Sequence, residues 1–170
     1  MTATLTSFAV LGAVTTAQQI AGRCLESMEG ADPELVAEET LALLSVTTAR
    51  TLREHALVAE TLAQLPLTYR DYVVGGAVLS AEDQSEAILS AETASYERLG
   101  RKLSFYEAHF PPGKLPGPRA LKDKMELWMG RISPPGLPES PRKRMEKLQL
   151  VSVVETHLKL VRAFAEQDRA

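Results

Sequence analysis

From Ser140 to about Asp168, apolar residues return every three or four positions, and no other feature of the chain restricts its fold as strongly. Met145, Leu148, Val151, Val154, Leu158, Val161 and Ala165 form this stripe, which has the spacing of one face of an α-helix. Ser140 offers an N-cap hydroxyl, and Pro141 stands in the first turn, where proline is tolerated. Leu150, Val153, His157, Leu160 and Phe164 widen the apolar arc to nearly half the circumference. Ser152, Glu155, Thr156, Lys159, Arg162 and Glu166 are left as the solvent face. A helix with so wide an arc needs more than one neighbour, so the rest of the chain is expected to supply them.

Three upstream segments have the same period. The first helix is expected over about Thr4–Met28, with Val10, Ala13, Ala17, Ile20, Cys24 and Met28 inward and Gly30 ending it. The second is expected from Asp32, an N-cap followed by Pro33, as far as about Leu65, where Pro66 stops it. Its main stripe is Leu41, Leu44, Leu52, His55, Ala59 and Leu62. Leu43, Val46 and Leu57 lie on the other side, so it needs cover on two sides or a partner for its second face. The third is expected from Ser80 to Phe110, along Ala81, Ser85, Ile88, Glu92, Ser95, Leu99, Leu103 and Tyr106. Residues 67–79 read either as a short helix or as an extended crossing, broken by Gly75-Gly76. Residues 111–140 are a proline-rich crossover, within which Arg119–Arg131 reads as a short helix facing inward through Leu121, Met125, Trp128 and Met129.

The expected fold is therefore all-α: four long helices in an up-down bundle, plus one short proline-flanked helix closing one end. At 170 residues it fits a single domain, 1–170. Aromatics make up only 5% of residues, which favours helices packed through aliphatic side chains over a β sandwich. Cys24 is the sole cysteine, so a reducing, cytoplasmic setting is the simplest reading. The apolar run Phe8–Val14 has no Lys or Arg before it and is read as core helix rather than a targeting segment. No apolar run approaches the roughly 18 residues needed to cross a bilayer, and no membrane partner is expected.

Charge is unevenly distributed. Residues 1–97 hold four basic and fourteen acidic side chains, a net of −10, whereas residues 98–147 hold twelve basic and five acidic, a net of +7. Such asymmetry fits an anionic partner, or an acidic face that meets a basic one within the fold or in another copy. Among the basic residues, Arg101, Lys102, Arg142, Lys143 and Arg144 are candidates for contacting nucleic acid through its phosphates.

Buried polarity marks a second candidate site. His55, Glu92 and His157 fall in the stripes of three different helices. Counted from the helix centres at about 1.5 Å per residue, they lie on one side of the bundle's middle. Two imidazoles and a carboxylate suit zinc or non-haem iron, or an acid–base pair. The alternative is a carboxylate that neutralises a buried histidine. No Glu-x-x-His pair occurs, which removes the ferritin-like di-iron pattern.

The run Arg50-Thr51-Leu52-Arg53-Glu54-His55, an arginine and a histidine separated by four residues, is similar to the motif of HEPN-type ribonucleases, which are also small α bundles. The resemblance covers these six residues. Thr51 stands where Asn, Asp or His is common in that motif, and on a straight helix Arg50 and His55 would point about 140° apart. His109 is read as a cation at a helix C-terminus and Cys24 as a buried structural thiol. There is no Walker, Gly-x-Ser-x-Gly or His-Glu-x-x-His pattern. The leading expectation is a protein that works by association, with a protein partner or another copy of itself. The alternatives are a subunit contacting nucleic acid, and a metal or acid–base enzyme built on His55, Glu92 and His157.

Overall fold

The computed structural model describes residues 2–68, 86–113 and 117–169, with side chains from residue 5 and, in the second segment, from residue 94. The fold is all-α, with no strand among the described residues. The helices bounded within the described residues are α1 (Thr2–Ser27), α2 (Pro33–Thr51), α3 (Ala56–Ala63), α4 (Glu86–His109), α5 (Pro118–Ile132), α6 (Pro141–Lys147) and α7 (Leu150–Arg169), and residues 65–68, across Pro66, are helical as well. Residues 69–79 of the uncertain segment and the Ser80–Ser85 start of the third expected helix lie outside the described residues, as do the side chains of Ile88 and Glu92.

The helix ends follow local chemistry. Asp32 accepts hydrogen bonds at Oδ1 from the amides of Glu34 (3.0 Å) and Leu35 (3.4 Å), and Pro33 opens α2. Gly30, at φ +80°, terminates α1 in the left-handed region that favours glycine. Ser140 caps α6 through the amide of Lys143.

The hub of the fold is α2. Every residue from Glu39 to Ala49 is buried, and α1, α3, α4, α5 and α7 all pack on it. A helix buried on all sides must also dispose of its polar groups. Thr40, Ser45, Thr47, Thr48 and Thr51 each donate their hydroxyl to the backbone carbonyl four residues back, at 2.6–2.9 Å. Both apolar sides of α2 are thus covered within the chain over this stretch.

Two expected helices are interrupted. The Asp32–Leu65 helix ends at Thr51 and restarts as α3 at Ala56, and residues 52–55 form a turn closed by the His55 amide on the Leu52 carbonyl (2.8 Å). No proline or glycine marks the break. Leu52, only 2% exposed, turns into the core there, and α3 leaves along α1 and α2. The Ser140–Asp168 helix breaks at Gln149, which has φ 55°. Arg23 of α1 donates to the Leu148 carbonyl (3.2 Å), supplying from outside the partner that a continued helix would have supplied. Beyond the break, α7 packs on α1, α2 and α5, with Val154, Leu158 and Val161 buried.

Candidate functional site

Part of the charge asymmetry is consumed inside the fold, where Arg98, Lys102 and Arg131 pair with acids of the first half. Glu39 is 1% exposed; it accepts from Tyr106 Oη (2.5 Å) and, in a fork, from Arg131 Nε (2.9 Å) and Nη2 (2.8 Å). Burial and the neighbouring Glu39 carboxylate push the Tyr106 hydroxyl well above the usual tyrosine range. Arg131 also stacks on the Phe105 ring, 4.1 Å from its centroid. One residue earlier, Glu38 takes a fork from Arg98 (3.1 and 2.6 Å) and an ion pair from Lys102 (2.5 Å). Desolvation opposes ionisation of Glu38, but the bonds from Arg98 and Lys102 outweigh it and hold its carboxyl below the ordinary value. The acidic start of α2 therefore meets the basic residues of α4 and α5 within one molecule.

Contacts within the chain engage three of the five residues read as nucleic-acid contacts, only Lys102 through this pairing. Lys102 is buried against Glu38. Arg142 is held by Glu126 (2.8 Å) and Asp123 on α5. Arg144 is 8% exposed, with its guanidinium on the Ser133 hydroxyl (2.7 Å) and the Glu139 carbonyl. Arg101 and Lys143 are exposed.

The two histidines of the metal-or-acid–base set line different cavities. His157, 6% exposed, stands between α1 and α2 with Nε2 2.9 Å from Thr48 Oγ1. The single Thr48 proton goes to the Leu44 carbonyl (2.6 Å), so Thr48 accepts and His157 is assigned as the neutral Nε2–H tautomer. Burial lowers its pKa to about 4. A Cβ on Gly12 would lie 3.0–3.1 Å from the imidazole, so α1 approaches His157 as closely as it does only because residue 12 is glycine. His55 follows the α2 break and lines a cleft whose α7 wall begins at Arg162, five residues or about 7 Å beyond His157. The Glu92 side chain lies outside the described residues. No group of three or more His, Cys, Asp or Glu is placed to hold a metal among the described residues.

The other singled-out side chains are locally accounted for. His109 Nδ1 bonds to the Phe105 carbonyl (2.7 Å) near the end of α4. Cys24 is fully buried, and burial pushes its thiol up to about 12, which keeps it protonated and unreactive at neutral pH.

Two of the concave surfaces among the described residues hold candidate side chains. The first, of about 360 Å³, lies at the α2–α3 break and is lined by the whole run Arg50–His55 together with Arg162, Ala165, Glu166 and Arg169 of α7. The break brings Arg50 and His55, which a straight helix would hold far apart in angle, to one cleft. Arg162 and Arg169 join them through tertiary packing, and nothing in their own sequence neighbourhood marks them.

The second, of about 490 Å³, is a groove between α1 and α7. Phe8, Leu11 and Leu160 line it while 38%, 68% and 57% exposed, and Gly12, Val153 and His157 contribute to its wall. Phe8 stacks on Phe164 with ring centroids 4.3 Å apart, tying the helices together at the apolar end. Polar groups, among them Gln19, Arg23, Gln149 and Ser152, complete the lining.

Comparison with protein-family models, curated proteins and solved structures gives no match for this chain. None of the described helices is long and apolar enough to cross a membrane.

Proposed function

We propose that this protein works by association, and that the α1–α7 groove is the surface through which it associates, in the first instance with a second copy of itself. One observation carries the reading. Three of the six large apolar side chains exposed among the described residues, Phe8, Leu11 and Leu160, line this single groove. Scattered exposed leucines are ordinary, whereas a contiguous apolar patch rimmed by polar groups is the usual form of a protein-binding surface. Two antiparallel helix ridges with a furrow between them suit an amphipathic helix as occupant, and α1 and α7 of another copy have that character.

Charge complementarity between copies is a weaker driving force in this reading, because Arg98, Lys102 and Arg131 already face Glu34, Glu38 and Glu39 of their own chain.

Native mass spectrometry of the full chain and of the double variant Leu11→Glu/Leu160→Glu tests the proposal. The expected result is a dimer or larger species for the wild type and a monomer for the variant, since a carboxylate on each ridge would be desolvated in the interface. A wild-type chain that is monomeric throughout the accessible concentration range overturns it. So does an oligomer that the double substitution leaves unchanged.

A further inference from the structure

The cleft at the α2–α3 break has a composition that the association reading does not use. Four arginines line it, Arg50, Arg53, Arg162 and Arg169, against two carboxylates, Glu54 and Glu166. Arg169 is committed to Glu54 (2.5 Å), and Arg50 is anchored through Nε on the Phe110 carbonyl (2.6 Å). Arg53 and Arg162 are exposed and make no ion pair or hydrogen bond among the described residues. His55 Nε2 is buried and has no hydrogen-bond partner among them either. A buried imidazole nitrogen left unsatisfied is uncommon in a folded protein and calls for a partner.

We propose that this cleft binds the terminal phosphate of a phosphate monoester, held by the guanidinium groups of Arg53 and Arg162, with Arg50 and His55 at the inner wall. With the Glu54–Arg169 pair neutral, Arg50, Arg53 and Arg162 against Glu166 leave a surplus of two positive charges. That surplus matches the charge of roughly −1.5 to −2 on a phosphate monoester near neutral pH. Guanidinium forks match the paired oxygens of a phosphate group. The volume of about 360 Å³ exceeds that of one phosphate and leaves room for part of the organic group that carries it. One side of the cleft comes from the end of α2 and the 52–55 turn and the other from α7, so a bridging phosphate would also tie the C-terminal turns of α7 to the α2–α3 corner.

Isothermal titration calorimetry on the full chain, with adenosine 5′-monophosphate, inorganic phosphate, adenosine and adenosine 3′,5′-cyclic monophosphate as probes, tests the assignment. The monophosphate and inorganic phosphate are expected to bind and adenosine not to. The cyclic diester, a monoanion, is expected to bind about tenfold more weakly than the monoester. Arg53→Ala/Arg162→Ala, at two exposed positions that leave the core untouched, is expected to weaken monoester binding about tenfold or more. Leu160→Glu, in the separate α1–α7 groove, is expected to leave it unchanged. Absence of binding by inorganic phosphate and the monoester at millimolar concentration overturns the proposal, as does monoester binding that survives the double arginine substitution. A cyclic diester as tight as the monoester removes the dianion assignment. None of these outcomes depends on the oligomeric state.

Discussion

Among single residues, His157 shows best how burial becomes measurable behaviour. Its folded-state pKa of about 4 lies below the ordinary 6.5 of histidine. Above pH 6.5 both folded and unfolded chains carry it neutral, and no penalty exists. As pH falls from 6.5 toward 4 the unfolded chain takes up a proton that the folded chain refuses, so stability declines across that window. The wild type should lose about 2 kcal/mol between pH 7 and pH 5 from this group alone, read from urea unfolding midpoints. His157→Leu, which leaves Thr48 bonded to the Leu44 carbonyl, should lack that decline. An identical decline in the variant would contradict the assignment. Gly12 belongs to the same contact. Gly12→Ala should destabilise by about 1 kcal/mol, because the methyl's clash with the imidazole outweighs the gain in helix propensity. In a His157→Ala background the same change should turn neutral or stabilising, and a double-mutant cycle in urea with no coupling would refute the close approach.

Among the elements, α2 carries the architecture, and the sequence disguised it. Thr48 interrupts the apolar stripe in sequence, but each buried hydroxyl of α2 is satisfied by its own helix, so a segment with Thr47 and Thr48 within it is buried throughout. The caps at Asp32, Gly30 and Ser140 were legible because a cap is a local bond. The breaks at residues 52–55 and at Gln149 were not, since neither carries proline or glycine and both are set by tertiary contacts such as Arg23 on the Leu148 carbonyl. The cleft was half legible for the same reason. Arg50 and His55 stand together in sequence, whereas Arg162 and Arg169 arrive from the far end of the chain. The Glu39–Tyr106–Arg131 network that pins α4 and α5 to α2 was missed altogether, because Glu39, in the second turn of α2, looks in sequence like one more acid near the positive end of the helix. Arg131→Leu would strand the Glu39 carboxylate with fewer charged partners. It should lower stability by about 2–3 kcal/mol, toward the low end for a broken buried pair because Arg131 is itself 36% exposed. Arg142→Ala, which breaks only surface pairs with Asp123 and Glu126, should leave the urea midpoint essentially where it is. Equal midpoints for the two variants would mean that the network is no more than surface pairing.

For the whole molecule, Arg98, Lys102 and Arg131 of the basic middle answer Glu34, Glu38 and Glu39 of the acidic first half within the fold, and three of the six exposed large apolar side chains among the described residues lie between α1 and α7. Under the proposed association, that division assigns the driving force to hydrophobic burial rather than to charge. Sedimentation equilibrium of the full chain in low and in high salt separates the two directly, because screening weakens pairing between exposed charges and leaves apolar burial intact or strengthened. The expected result is a self-associated species whose dissociation constant stays level or falls as salt is raised. A chain that is monomeric in both, or an oligomer that dissolves as salt is added, would contradict the account.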